Sequence, residues 1–221
     1  MTALVYRGPA SLPGCPEAVA SLLAEPRWGL DVRFVGPQED LPLTERTLAG
    51  AELYAQPGGG TLRRGWRRMR RHRRAVRSYV HGGGRYLGFC LGAYLAGESP
   101  GFGLLPGDTD QYVDGDDAVL DTEDDALVDV DWRGHRHTVF AQDPATFVLD
   151  ERADAGVEIL ARYPDGPPAA LVAPHGHGRV GVRSHHPEAT PDWFTDAGLP
   201  VRDARELARD LLDRTLERGR P

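Results

Sequence analysis

The sequence has no lysine and no asparagine, a single isoleucine at Ile159, and only two cysteines, Cys15 and Cys90, in 221 residues. Without lysine no Schiff base can form on the chain. Two cysteines are too few for a disulfide framework or a four-thiolate zinc site. All 26 basic residues are therefore arginine, a bias expected of GC-rich coding, so arginine content alone is no sign of nucleic-acid binding. The 33 acidic residues outnumber them and leave a net charge of −7, which disfavours nucleic acid as a partner. Long apolar runs are missing as well. No window approaches the roughly 18 apolar residues of a membrane span, and Met1–Tyr6 followed by Arg7-Gly8-Pro9 lacks the basic start and apolar stretch of a secretory signal. A soluble cytoplasmic protein without a membrane partner is expected, and with neither repeat nor linker, residues 1–221 are expected to form one domain.

What is present is a βαβα rhythm in the first half, as in a parallel sheet covered by helices. Strands are predicted at Ala3–Tyr6, Leu30–Val35, Glu52–Gln56 and Arg85–Phe89, and helices at Glu17–Glu25, Leu62–Val80 and Leu91–Gly97. The second half reads as short strands at Ala118–Leu120, Ala126–Val130, Arg136–Ala141, Thr146–Leu149, Val157–Tyr163, Ala169–Ala173 and Arg179–Arg183. Their spacing predicts antiparallel hairpins added to the sheet, with a last helix at Ala204–Glu217 docked through Leu207, Leu211, Leu212 and Leu216.

Around Cys90 a strand runs into Gly88-Phe89-Cys90-Leu91-Gly92 and then a helix. A nucleophile on such a turn is held in a strained conformation, with glycines on either side removing side chains that would clash, and a helix N-terminus favours the thiolate. The alternative is a small buried cysteine between packed glycines. About a hundred residues on, Ser184-His185-His186-Pro187-Glu188 follows a predicted strand. Two-residue spacing along an extended segment puts His186 and Glu188 on one side and turns His185 away, so Glu188 can orient the imidazole that takes the thiol proton. A third loop, Pro57-Gly58-Gly59-Gly60, offers backbone N–H groups; those of Gly59, Gly60 and Leu91 are the expected oxyanion donors. No Lys-Ser/Thr pair follows it, which rules out a P-loop. Arg7, Ser11 and His185 are candidate substrate contacts. Cys15 could line the pocket mouth or pack at a helix start.

These residues resemble the class I glutamine amidotransferase-like superfamily. Within it the chain is most similar to the family of the biotin-protein ligase N-terminal domain. The matching stretches are Val5-Tyr6-Arg7-Gly8-Pro9, Gln56 to Gly60, Gly82 to Gly97, Ile159 to Tyr163, and Gly178 to Val180 leading to His185-His186-Pro187-Glu188. The resemblance implies an α/β, flavodoxin-like three-layer sandwich with a mostly parallel central sheet, and a Cys90, His186, Glu188 triad. No ligase or ammonia-using synthase segment is expected in the chain, so a glutaminase role would need a separate synthase or other protein partner. The expected activity is cysteine hydrolysis of a small amide or related acyl substrate through a thioester at Cys90, without cofactor. The alternatives are a catalytically silent binding module of the same fold and a redox-responsive cysteine protein.

Two charge blocks stand apart. Nine arginines lie between Arg63 and Arg77, opposite an apolar stripe of Leu62, Trp66, Met69, Val76 and Val80, while Asp108 to Asp131 holds eleven acids and no arginine. They could pair within the molecule or across a homo-oligomer. No metal is expected: the Asp108-Thr109-Asp110 start of a calcium loop has Tyr112 at a ligand position, and the pairs His135/His137 and His175/His177 lack a third ligand.

Overall fold

The computed structural model describes residues 1–151 and 156–217. The first four strands are β1 (Thr2–Tyr6), β2 (Asp31–Val35), β3 (Leu53–Gln56) and β4 (Arg85–Phe89). They alternate with helices α1 (Cys15–Leu23), α2 (Glu45–Ala49), α3 (Leu62–Met69) and α4 (Arg73–His81). A one-turn helix α5 (Leu91–Tyr94) follows β4. Then come β5 (Gly107–Gln111), β6 (Ala126–Trp132), β7 (His135–Ala141), β8 (Ala145–Leu149), β9 (Glu158–Arg162), β10 (Pro168–His175) and β11 (Gly178–Arg183). Helices α6 (Pro191–Asp196) and α7 (Arg205–Leu216) close the described chain.

Nine strands form one sheet in the order β2-β1-β3-β4-β11-β10-β9-β6-β7, and β5 pairs with β8 apart from it. The pairs from β2 to β11 are parallel and those from β11 to β7 antiparallel, so the sheet is mixed rather than mostly parallel. Side-chain alternation explains why both faces are covered. Ala3, Val5, Leu53, Ala55, Leu87 and Phe89 point into one core with α1 and α7, whereas Leu4, Tyr6, Tyr54 and Tyr86 point into the other with α4 and α5.

Four departures from the sequence reading have local causes. The helix expected over Leu62–Val80 is broken by a 3₁₀ turn at Arg70–His72, where the apolar stripe has a gap between Met69 and Val76 and nothing anchors a continuous helix. The helix after Cys90 stops at Tyr94 rather than Gly97, and the Asp108 carboxylate takes the N–H of Glu98 (2.9 Å). Ala118–Leu120 is no strand: Tyr112 Oη accepts from the N–H of Val119 (3.0 Å) and holds a turn. Three further elements, α2, β5 and α6, are not among those expected; β5 carries a glycine and two aspartates in five residues, types depleted from strands.

Candidate active site

Strands β3, β4 and β11 are neighbours running the same way, so the loops after their C-terminal ends meet at one edge of the sheet. Cys90 follows β4 directly, with φ +47° and ψ −109°. That left-handed backbone is costly for a residue with a side chain, and two neighbours permit it. The N–H of Cys90 donates to Arg183 O at the end of β11 (3.0 Å), and its carbonyl accepts from Ala93 N (2.8 Å). The flanking glycines are sterically required: a Cβ at Gly88 would lie 2.5 Å from Gly92 O, and one at Gly92 would lie 2.0 Å from Gln56 O. With α5 only one turn long, unpaired first-turn N–H groups, Leu91 N–H among them, supply the positive end rather than a long helix dipole.

His186 sits three residues beyond β11. Its N–H donates to Phe140 O (2.8 Å), and its Nδ1 meets Glu188 Oε1 at 2.9 Å, both side chains being buried. The imidazole reaches Cys90 at Gly58: a Cβ there would lie 2.6 Å from His186 Cε1 and 3.3 Å from Cys90 Cβ. Burial by itself pushes the His186 pKa down. The charges of Cys90 and Glu188, with the hydrogen bond to Glu188, outweigh it and raise the pKa to about 10. The Cys90 thiol also points at Gln142 O (3.7 Å).

The oxyanion candidates divide. Gly59 lines the cleft beside His186 with φ +147°, packed so closely on Ser11 and Leu12 that no Cβ fits. Gly60 is exposed, with open space around it. Gly58, which the sequence reading passed over, is the glycine against the Cys90–His186 pair, held by Leu12 N donating to its carbonyl (3.3 Å). The three candidate substrate contacts lie elsewhere. Arg7 is clamped by Glu39 (2.8 Å through both Nε and a terminal nitrogen) and lies over the Phe34 ring; with Ser11, which bonds Gly8, it lines a neighbouring groove. His185 is fully buried against Ser184, and burial pushes its pKa well down. Cys15 is the first residue of α1 and also lines the cleft; burial, then the charges of Glu188 and Cys90, push its pKa up.

Two further residues escaped sequence reasoning. Trp193 stacks edge-on at 5.3 Å from the His186 ring and walls the cleft; Thr190-Pro191, a cap followed by a first-turn proline, was the available signal for its helix. Arg183 is wholly buried over the Trp132 ring, its guanidinium without a hydrogen-bond partner among the described residues. Burial lowers its pKa to about 9 against the pull of Glu188 and Tyr163. Among the described residues no group of three or more His, Cys, Asp or Glu could hold a metal ion, and no helix is long and apolar enough to cross a membrane.

Comparison with known proteins bears on the family and the fold. The family described as "Biotin-protein ligase, N terminal" matches residues 1–119. Among solved structures, a glutamine amidotransferase is similar over 96% of this chain and 97% of its own, at 23% identity and a TM-score of 0.64. PurLQS from Thermotoga maritima is similar over 96% and 98%, at 19% identity and a TM-score of 0.64. A cytoplasmic protein from Salmonella typhimurium LT2 is similar over 97% and 99%, at 13% identity and a TM-score of 0.56. At these identities the likeness is one of fold. No curated protein matches the chain.

Proposed function

The chain belongs to the biotin-protein ligase N-terminal family, and from that premise we propose that it is an amidotransferase-like cysteine hydrolase acting on an amide or related acyl substrate. Cys90 is the nucleophile, His186 the acid and base, and Glu188 the residue that orients His186. The observation carrying this reading is the pairing of a strained Cys90 backbone (φ +47°) with an imidazole packed beside it and tied to Glu188 at 2.9 Å. The imidazole beside Cys90 is placed to take up the thiol proton. The thiolate attacks the substrate carbonyl, forming the S–C bond, while N–H groups of the Gly58–Gly60 loop and of Leu91 stabilise the oxyanion. His186 gives its proton to the leaving amine as the C–N bond breaks, leaving a thioester. Now neutral, it takes a proton from water, which attacks the thioester, releases the acid and restores the thiolate–imidazolium pair.

In this reading residues 1–221 act as one cytoplasmic, flavodoxin-like three-layer domain without cofactor. A separate synthase partner receives any ammonia released, and copies of the chain associate through their oppositely charged faces. Iodoacetamide labelling near neutral pH, located by mass spectrometry, tests the assignment. Cys90 is expected to react faster than free cysteine, and Cys90→Ala to abolish labelling with the fold intact. Unchanged labelling in that variant, with Cys15 as the modified site, sinks the assignment.

A further inference from the structure

This inference rests on the cysteine-hydrolase reading and names its substrate class. The cleft beside His186 has a volume of about 320 Å³. Three carboxylates line it: Asp125, just before β6, and Asp192 and Asp196, four apart on α6 and so on one face of it. Two aromatic rings, Phe140 and Trp193, line it too, with centroids 5.8 Å apart. The Trp193 ring is 5.3 Å from His186, and its Nε1 lies near Gly14, where a Cβ would be 3.6 Å away. In a chain with 26 arginines none lines this cleft. Among the described residues none of the three carboxylates has an ion pair within 4.0 Å, although Glu25, Glu39, Glu158 and Asp210 elsewhere are all paired with arginine.

A cleft walled by one sign of charge concentrates the opposite sign, and an aromatic face adds attraction for a cation. An anionic substrate would meet three negative charges against the single charge of His186, which Glu188 already pairs. We propose that the acyl substrate of Cys90 is cationic, an amide bearing an ammonium or guanidinium group that sits against Trp193 among Asp125, Asp192 and Asp196 while its carbonyl lies at Cys90.

Charged thiol reagents of matched size test this on the full chain. With 2-aminoethyl or 2-sulfonatoethyl methanethiosulfonate, the Cys90 thiolate forms a disulfide with the reagent's sulfenyl sulfur and expels methanesulfinate. Rates are normalised to those of free cysteine. The cationic reagent is expected to be favoured by about tenfold, and the triple variant Asp125→Asn, Asp192→Asn, Asp196→Asn to bring the ratio near one. Equal rates in the native protein, or a preference untouched by the triple variant, overturn the proposal. His186→Ala, expected to slow both reagents, reports on the nucleophile reading. Quenching of Trp193 fluorescence, taken as the difference between the native protein and Trp193→Phe, is independent of Cys90. Caesium is expected to quench Trp193 better than iodide does, and the triple variant to reverse that order. An unreactive Cys90 with caesium still preferred refutes the hydrolase reading and leaves the cation site standing; iodide quenching as strong as caesium refutes the cation site.

Discussion

Gly58 and Gly60 are two residues apart and should respond to the same substitution in opposite ways. An alanine methyl at Gly58 would press on His186 Cε1 from 2.6 Å, and the flexible part of that contact is the imidazole itself. Gly58→Ala is therefore expected to displace His186 and cost on the order of 10²-fold in Cys90-dependent turnover, the share a positioned acid–base group usually supplies. At Gly60 the space is open and only its φ of +66° resists, so Gly60→Ala should lose about 1 kcal/mol of stability and little activity. Parallel urea melts and turnover measurements check both, and equal activity loss at the two positions would contradict the geometry. The His186 proton also makes stability depend on pH. Its folded pKa is raised, to about 10, above an unfolded value of about 6.5. Stability from the pair is thus fully present below about pH 6.5 and lost as pH rises towards 10. In Cys90→Ala one of the two raising charges is gone and burial gains weight. Nitrogen NMR should find His186 still an imidazolium at mildly alkaline pH in the native protein and titrating lower in the variant; a neutral native imidazole there refutes the ion pair.

Strand β11 lies beside β4 and delivers His186 to Cys90. It packs tightly on α7: a Cβ on Gly181 would lie 1.9 Å from Thr215 Oγ1, which itself donates to Leu211 O. Gly181→Ala must push α7 off the strand, and a loss of about 1–3 kcal/mol is expected, with weakened Cys90 labelling as the site shifts. Chemical denaturation read against labelling checks this; a stable variant with normal labelling contradicts it. Much of this layout was legible in the sequence. The first four strands follow apolar runs ended by glycine and proline, and Cys90, His186 and Glu188 sit where turn chemistry interrupts a strand. Other parts could not be read because they depend on partners distant in the chain. Gly58 becomes the key glycine only once His186 arrives from β11, Arg7 is taken out of use by Glu39, and β5 exists because β8 pairs with it despite its two aspartates.

The net charge of −7 conceals a molecule divided by sign. Eight of the nine arginines between Arg63 and Arg77 are exposed, as are Asp114, Asp116, Asp117, Asp121, Glu123, Asp124 and Asp125 on the acidic segment. Among the described residues, no arginine of that block lies within 4.0 Å of a carboxylate. Among the described residues the two blocks thus form no ion pair with each other, and a surface complementary to each is present on a second copy. Single exposed ion pairs contribute only about 0–1 kcal/mol, so association must come from many weak pairs acting together. Such an interface is sensitive to screening, whose range falls from about 30 Å at 0.01 M salt to about 3 Å at 1 M. Sedimentation at low salt should therefore find self-associated protein that dissociates as salt is added. Arg67→Glu with Arg70→Glu should weaken association at low salt while leaving Cys90 labelling unchanged, since the two arginines lie outside the cleft. The same mass at low and high salt removes the case for the charged interface without touching the chemistry at Cys90.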